Sequence, residues 1–250
     1  MKYLSHEMKG DVSILTIERQ EHLNALSRGV LEELLYFLEV TAKELKLKVL
    51  ILTGSGAKVF SAGADIQELY AMNNAQVNHF LNLANRALDH LENLPFITIA
   101  AVNGYALGLG LELALACDFI YASDEAELGF PEVELGLIPG CGGTQRLLDA
   151  VGIRHAKEMV LSGKRIKAKA AMERGLVNHI CPGDLLIDVC VNTAKKMSSY
   201  SHVALTAGKT AIGKGFHVER TEFLRCFDTP ERKGAMKALV EKNQRCSACD

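Results

Sequence analysis

Three short segments carry residues that could do chemistry. In 104-GYALGLGLELALACD-118 a single carboxylate, Glu112, stands among Leu111, Leu113, Ala114 and Leu115. About one turn into a helix, a carboxylate can be solvent-exposed or favoured by the helix dipole, but these neighbours leave it little polar face to share. Burying it without a partner would be expensive. Twenty residues on, in 129-GFPEVELGLIPG-140, Glu132 follows a proline in a glycine-punctuated loop; alone it is an ordinary loop acid. The third segment, 59-VFSAGADIQEL-69, reads as a strand end turning through small residues into a helix. The first amides of such a helix have no intrahelical acceptor and can bind anionic oxygen.

A glycine-rich turn between strand and helix first suggests a nucleotide site. From Gly108 the spacing runs Gly108, Gly110 and then Leu113 where a third small anchor belongs, so the dinucleotide fingerprint is incomplete. No phosphate-binding G-x-x-x-x-G-K-[ST] loop appears in 54-GSGAKVFS-61 or 140-GCGGTQR-146. The glycines serve either tight turns and close backbone packing or close approach of a ligand, and single motifs leave both open.

The elements that must position these residues follow an α/β order. Residues 12-VSILTIE-18, 48-KVLILTG-54 and 96-FITIAAV-102 read as strands. Ser27 is a candidate N-cap for a helix with Leu31, Leu34, Leu35 and Leu38 on one face, and Val77, Phe80, Leu81, Ala84, Leu88 and Leu91 mark a longer helix stopped before Pro95. Strand, helix, strand, helix argues α/β. From about residue 190 the pattern turns mostly helical, with Thr229 as N-cap and Pro230 opening the last helix, so residues 1–190 are expected as the core and 191–250 as a helical region. No strict repeat is visible.

The bulk numbers fit an ordinary globular protein: 48% hydrophobic and 23% charged over 250 residues. A net charge of −2 gives no basic field for nucleic acid. No run approaches a membrane span, and the N-terminal MKYLSHEMKG has neither the apolar stretch of a signal peptide nor the bias of a transit peptide. Seven cysteines, an odd number scattered through core-like segments, suggest reduced thiols; the Cys246/Cys249 pair has no second pair to complete a metal site. A cytoplasmic protein acting on a small polar metabolite is expected.

Taken together, in this order and spacing, the segments resemble the crotonase (enoyl-CoA hydratase/isomerase) superfamily, and within it the bacterial-type short-chain hydratases. The resemblance runs through 23-LNALS-27, 60-FSAGADI-66, 102-VNGYALGLGLELALACD-118, 130-FPEVELGLIPGCGGTQRL-147 and 175-GLV-177, and more weakly into 234-GAMKALVEK-242. It implies an α/β core of ββα units in a superhelix, with C-terminal helices that build a homotrimer or a dimer of trimers. It implies an acyl-CoA thioester substrate whose oxygen is held by two backbone amides, by position those of Ala64 and Leu109. Such donors must already point at the oxygen where the enolate charge develops.

The resemblance further assigns Ala62 to Gln67 (Ala62, Ala64, Asp65, Ile66, Gln67) to the pantetheine and thioester end, with Ala25, Gly108, Pro139 and Gly140 also at the substrate. Lys58, and Lys242 from a neighbouring subunit, match positions that meet the nucleotide phosphates. Hydratases carry glutamates at both acidic positions, whereas Δ3,Δ2-enoyl isomerases usually keep the later one. Glu112 and Glu132 are both present, which implies reversible syn addition of water to a trans-2-enoyl-CoA: Glu132 gives a proton to C2 while Glu112 activates the water attacking C3. Coenzyme A belongs to the substrate, and no metal or other cofactor is expected, since the amides take the Lewis-acid role and no His or Cys ligand set clusters. None of the eight histidines is assigned to catalysis. Two positions depart from the pattern: Leu109 stands where Gly or Ala is common, and Gln67 where lysine is frequent; both bear on substrate preference. The alternatives are an isomerase or other crotonase-type lyase, and a non-catalytic binder of acyl-CoA or of a macromolecule.

Overall fold

The structure, a computed structural model, describes residues 1–45 and 47–246, with side chains through 241; the side chain of Lys242 and the Cys246/Cys249 pair lie outside the described residues. Two sheets form its frame. One has six strands in the order β1 (Leu4–Lys9), β2 (Val12–Ile17), β3 (Val49–Gly54), β5 (Ile97–Val102), β7 (Phe119–Ser123) and β10 (His179–Cys181); the other has four, β4 (Val59–Ser61), β6 (Tyr105–Leu107), β8 (Glu127–Gly129) and β9 (Arg165–Lys167). β1 and β2 form an antiparallel hairpin that turns at Gly10, where φ is +68°; β2, β3, β5, β7 and β10 are then successively parallel.

Each turn of the chain contributes one strand to each sheet. β3 leads to β4, β5 to β6 and β7 to β8, and β4, β6 and β8 are mutually parallel. This is the ββα staircase that the resemblance implies. Every residue of β3 and β5 is buried, as expected for parallel strands covered on both faces.

The helices cover the sheets. α1 (Arg28–Tyr36) starts at Ser27, whose side chain accepts from Val30 N, and passes through a wide π turn, Phe37–Thr41, into α2 (Ala42–Glu44). α3 (Ile66–Tyr70) is short. α4 (Asn74–Glu92) opens with a reciprocal capping box between Asn73 and Gln76 and buries Phe80, Ala84, Ala87, Leu88 and Leu91. α5 (Leu109–Leu115) follows β6 directly, and α6 (Gly143–Ser162) is broken at Gly152, where φ is +73°. α7 (Ala168–Glu173) and α8 (Leu186–Ser198) complete this part.

The chain divides into two compact units between Lys195 and Lys196, inside α8 and past the compositional boundary at 190. The reason is local: α8 keeps burying Cys190, Val191 and Ala194 up to that point. The second unit holds α9 (His202–Ala211), α10 (Phe216–Phe227) and α11 (Pro230–Cys246), the last capped by Thr229, whose hydroxyl accepts from Arg232 N. No helix of the described residues is long and apolar enough to cross a membrane.

Candidate active site

The second, three-residue strand of each ββα unit ends at one cavity of about 880 Å³. The turn after β4 supplies Ala62, Gly63, Ala64 and Ile66; α4 supplies Val77, Phe80 and Leu81. The β6–α5 junction supplies Leu107, Gly108, Leu109 and Glu112, and the chain after β8 supplies Glu132, Leu137, Ile138, Pro139, Gly140 and Cys141.

Glu112 is buried, with 2% of its surface exposed, and it is not unpaired. Its Oε1 accepts from the amides of Cys141 at 2.7 Å and Gly143 at 2.8 Å. These donors answer the desolvation cost that the sequence raised. Burial pushes the Glu112 carboxyl above its ordinary value, while the two amides and the nearby Arg146 guanidinium oppose the rise. Gly143 has no room for a side chain, since a Cβ there would lie 2.8 Å from both Glu112 Oε1 and the Phe130 ring.

Glu132 sits in a 3-10 turn, Pro131–Leu135, that the sequence presents plainly: Pro131 presets the first φ, and Gly136 closes the turn at φ +70°. Phe130, fully buried, anchors it. The Glu132 Oε2 is buried and has no hydrogen-bond partner among the described residues. Burial pushes this carboxyl up to about 7, and the charge on Glu112 adds to the rise. The two acids therefore face one cavity in different settings: two amides hold Glu112 Oε1, whereas burial and the Glu112 charge outweigh the one backbone hydrogen bond, from its own amide, that favours the Glu132 carboxylate.

The amides of Ala64 and Leu109 come together through the glycines. Leu26 pairs with the chain around Ala64, donating to Gly63 O at 2.8 Å and accepting from Asp65 N at 3.3 Å, so the intervening Ala64 N–H faces away from that bridge. A Cβ on Gly63 would lie 3.5 Å from Leu109 N. Among the described residues neither the Ala64 nor the Leu109 N–H has an acceptor. Gly108 needs its positive φ of 51°, and a Cβ there would press on Glu132 Oε1 at 2.8 Å, whereas Gly110 lets α5 pack against Ser61 O. At both positions the structure shows the turn and close-packing reading of these glycines.

Of the residues singled out from sequence, the cavity gathers Ala62, Ala64, Ile66, Gly108, Leu109, Glu112, Glu132, Pro139 and Gly140. Ala25, Lys58, Asp65 and Gln67 are not among its lining; Lys58 and Gln67 are exposed, and Ala25 gives its carbonyl to Arg19 Nη1. The amides opening α3 are not free for an anion, because the Asp65 carboxylate accepts from Gln67 N at 3.2 Å and Glu68 N at 3.3 Å. The Leu109 side chain is buried in the core as well as lining the cavity. Sequence reasoning missed the Cys141–Gly143 turn that grips Glu112 and the α4 wall. The run Gly-Cys-Gly-Gly is visible in the sequence as part of the family segment, but nothing in its letters shows that its amides turn towards Glu112. Cys141 is no nucleophile: burial and the Glu112 charge push its thiol up to about 12. Among the described residues no three His, Cys, Asp or Glu side chains group to hold a metal ion.

Residues 7–245 match the family described as Enoyl-CoA hydratase/isomerase. The short-chain-enoyl-CoA hydratase of Clostridium acetobutylicum is 40% identical over 95% of this chain and 94% of that one. The mitochondrial enoyl-CoA hydratase of Pongo abelii is 38% identical over 97% and 87%. The crystal structure of an enoyl-CoA hydratase from Bacillus anthracis superposes with a TM-score of 0.92 at 38% identity, covering 96% of each chain. With its whole ββα frame and nearly its whole length matched, the chain belongs to the enoyl-CoA hydratase/isomerase family.

Proposed function

We propose that this protein is an enoyl-CoA hydratase, adding water reversibly across the 2,3 double bond of a trans-2-enoyl-CoA. The observation that carries the mechanism is the asymmetry of its two carboxyls. Glu132, its Oε2 buried without a partner among the described residues and its carboxyl raised to about 7, holds the proton that goes to C2. Glu112, with two amides on Oε1, is the base that takes a proton from the water attacking C3. The proton Glu112 gains replaces the one Glu132 gives, so the pair still holds one proton after turnover. Roles exchange in dehydration. The Ala64 and Leu109 amides donate to the thioester oxygen as the enolate forms; losing such a donor costs about 3 kcal/mol in the transition state.

In the same reading, the turn from Ala62 to Ile66 meets the pantetheine end, and Lys58, exposed outside the cavity, meets the CoA phosphates together with Lys242 of a neighbouring subunit. The apolar wall of Val77, Phe80, Leu81, Leu137 and Ile138 takes the acyl chain. The first unit binds and transforms the substrate, and the second assembles trimers. A reducing, cytoplasmic setting belongs to the proposal and suits the free described thiols.

The test is the ultraviolet absorbance of crotonyl-CoA. Wild-type protein should bleach it, and Glu112→Gln and Glu132→Gln should each lower kcat by about 10² to 10⁴. Persistent absorbance with wild type removes the short-chain hydratase reading, and gain of absorbance from a 3-enoyl-CoA alone makes the protein an isomerase. Unchanged rates in both variants remove the acid–base assignment.

A further inference from the structure

Arg146 stands in the first turn of α6, where the unpaired N–H groups of a helix start disfavour a cation. Its side chain nevertheless folds back and is largely buried. Nη1 donates to the Cys141 carbonyl at 2.8 Å. Nε and Nη2 donate to Glu92 Oε2 at 3.1 and 2.7 Å, and Nη2 also to Asp89 Oδ1 at 3.1 Å. Asp89 and Glu92 lie in the last turn of α4, the helix whose earlier turns form the cavity wall.

The Cys141 carbonyl belongs to the peptide between the two whose N–H groups hold Glu112. Fixing that one plane fixes the donors on either side of it. Gly142 makes the contact feasible: its φ is +90°, and a Cβ there would collide with Arg146 Nη1. We propose that Arg146 is a positioning residue for the reaction, locking the Cys141–Gly143 turn so that both amides share one oxygen of Glu112 and leave the other for the water. This rests on the reading of Glu112 as the base.

The groups facing Glu112 are Glu132 on the 3-10 turn, the Cys141 thiol on the loop, and Arg146 on α6, with Asp89 and Glu92 of α4 behind Arg146. Glu112 must be ionised to act, so activity rises with pH through the lower macroscopic pKa of the acid pair. Misaligning the two amides and removing the guanidinium weakens the ionised form. The acid limb then moves to higher pH.

The experiment measures kcat and KM for crotonyl-CoA against pH in wild type, Arg146→Gln, Arg146→Lys, Gly142→Ala and the double variant Asp89→Asn/Glu92→Gln. Arg146→Gln should lower kcat about 10- to 100-fold with KM changed less than about threefold, and move the acid limb up. Arg146→Lys should restore part of the rate, since it keeps the charge but not the fork. Gly142→Ala, which keeps the Arg146 charge but whose Cβ displaces Nη1 from the Cys141 carbonyl, should reproduce the shifted limb, and it carries the test if Arg146→Gln does not fold. The double variant releases α4 but not the Cys141 carbonyl, so it should lose stability and keep the acid limb. An unmoved limb in Arg146→Gln and Gly142→Ala overturns the proposal, as does the same kcat loss and limb shift in the double variant. If instead wild type fails to hydrate crotonyl-CoA, or Glu112→Gln keeps full rate, the reading of the site fails and not the positioning role alone.

Discussion

Glu132 holds its proton more tightly in the folded chain than in the unfolded one, because burial and the neighbouring Glu112 charge raise it from 4.5 to about 7. Its contribution to stability is therefore fully present below the unfolded value and is lost as pH rises towards 7. The whole shift corresponds to roughly 3 kcal/mol, which the solvated part of the side chain reduces to about 1–2 kcal/mol. A glutamine keeps the shape and never ionises. Glu132→Gln should thus raise Tm at about pH 8.5 and leave it nearly unchanged at about pH 4. Equal Tm changes at the two pH values would show that folding leaves the affinity of this carboxyl for its proton unchanged. For turnover the same proton acts as the acid, so hydration by wild type should decline as pH climbs past about 7, with Glu112 setting the limb on the other side.

At the scale of elements, α3 shows how a local rule can be right about its groups and wrong about their use. Amides free at a helix start were legible in 59-VFSAGADIQEL-69, but Asp65, the cap, already occupies two of them. The Asp65 carboxylate also meets Arg19 Nη2 at 3.0 Å in a nearly buried pair. Burial pushes Asp65 up, but the Arg19 hydrogen bond and charge and the two amides outweigh it and hold the carboxyl below its ordinary 3.8. That stability is present above 3.8 and is lost as pH falls through the folded value. Asp65→Asn keeps a capping oxygen and removes the charge, so it should cost about 2 kcal/mol at neutral pH. Urea midpoints should show the gap closing as the buffer is made more acid than the ordinary carboxylate value; a gap independent of pH would mean that Arg19 contributes nothing through charge. The long elements were readable because an apolar period in β2, α1 and α4, or an unbroken apolar run in β3 and β5, spans five residues or more. β8 was not, and β4 and β6 were legible only as strand ends running into helices, since three residues carry no period; those strands are what bring Ala64, Leu109 and Glu132 to one cavity.

For the whole molecule, the ββα repeat is a property of pairing and not of sequence. The first strands of successive units are buried wholly or for the most part, but the connections after the second strands differ: α3 and α4 after β4, α5 after β6, a 3-10 turn and α6 after β8. No letter-by-letter period survives such variation, so the sequence showed no repeat, and the superhelix came from the family resemblance. Assembly is decided at this same scale. Within the second unit the stacked Phe223 and Phe227, with Arg232 over the Phe227 ring, are open to solvent, and Phe216 is 89% and Ile212 80% exposed. These exposed apolar side chains offer a surface for association, and a second copy of the chain is the occupant that the proposed trimer supplies. Light scattering should then give about 82 kDa, three times the 27.2 kDa chain, or twice that value for paired trimers. Replacing Phe216 and Phe223 together with glutamate places charge in the centre of the contact and should shift the mass to that of one chain. If wild type already runs at 27.2 kDa across the concentration range, the second unit does not assemble the protein, and Lys242 cannot reach a neighbour's substrate.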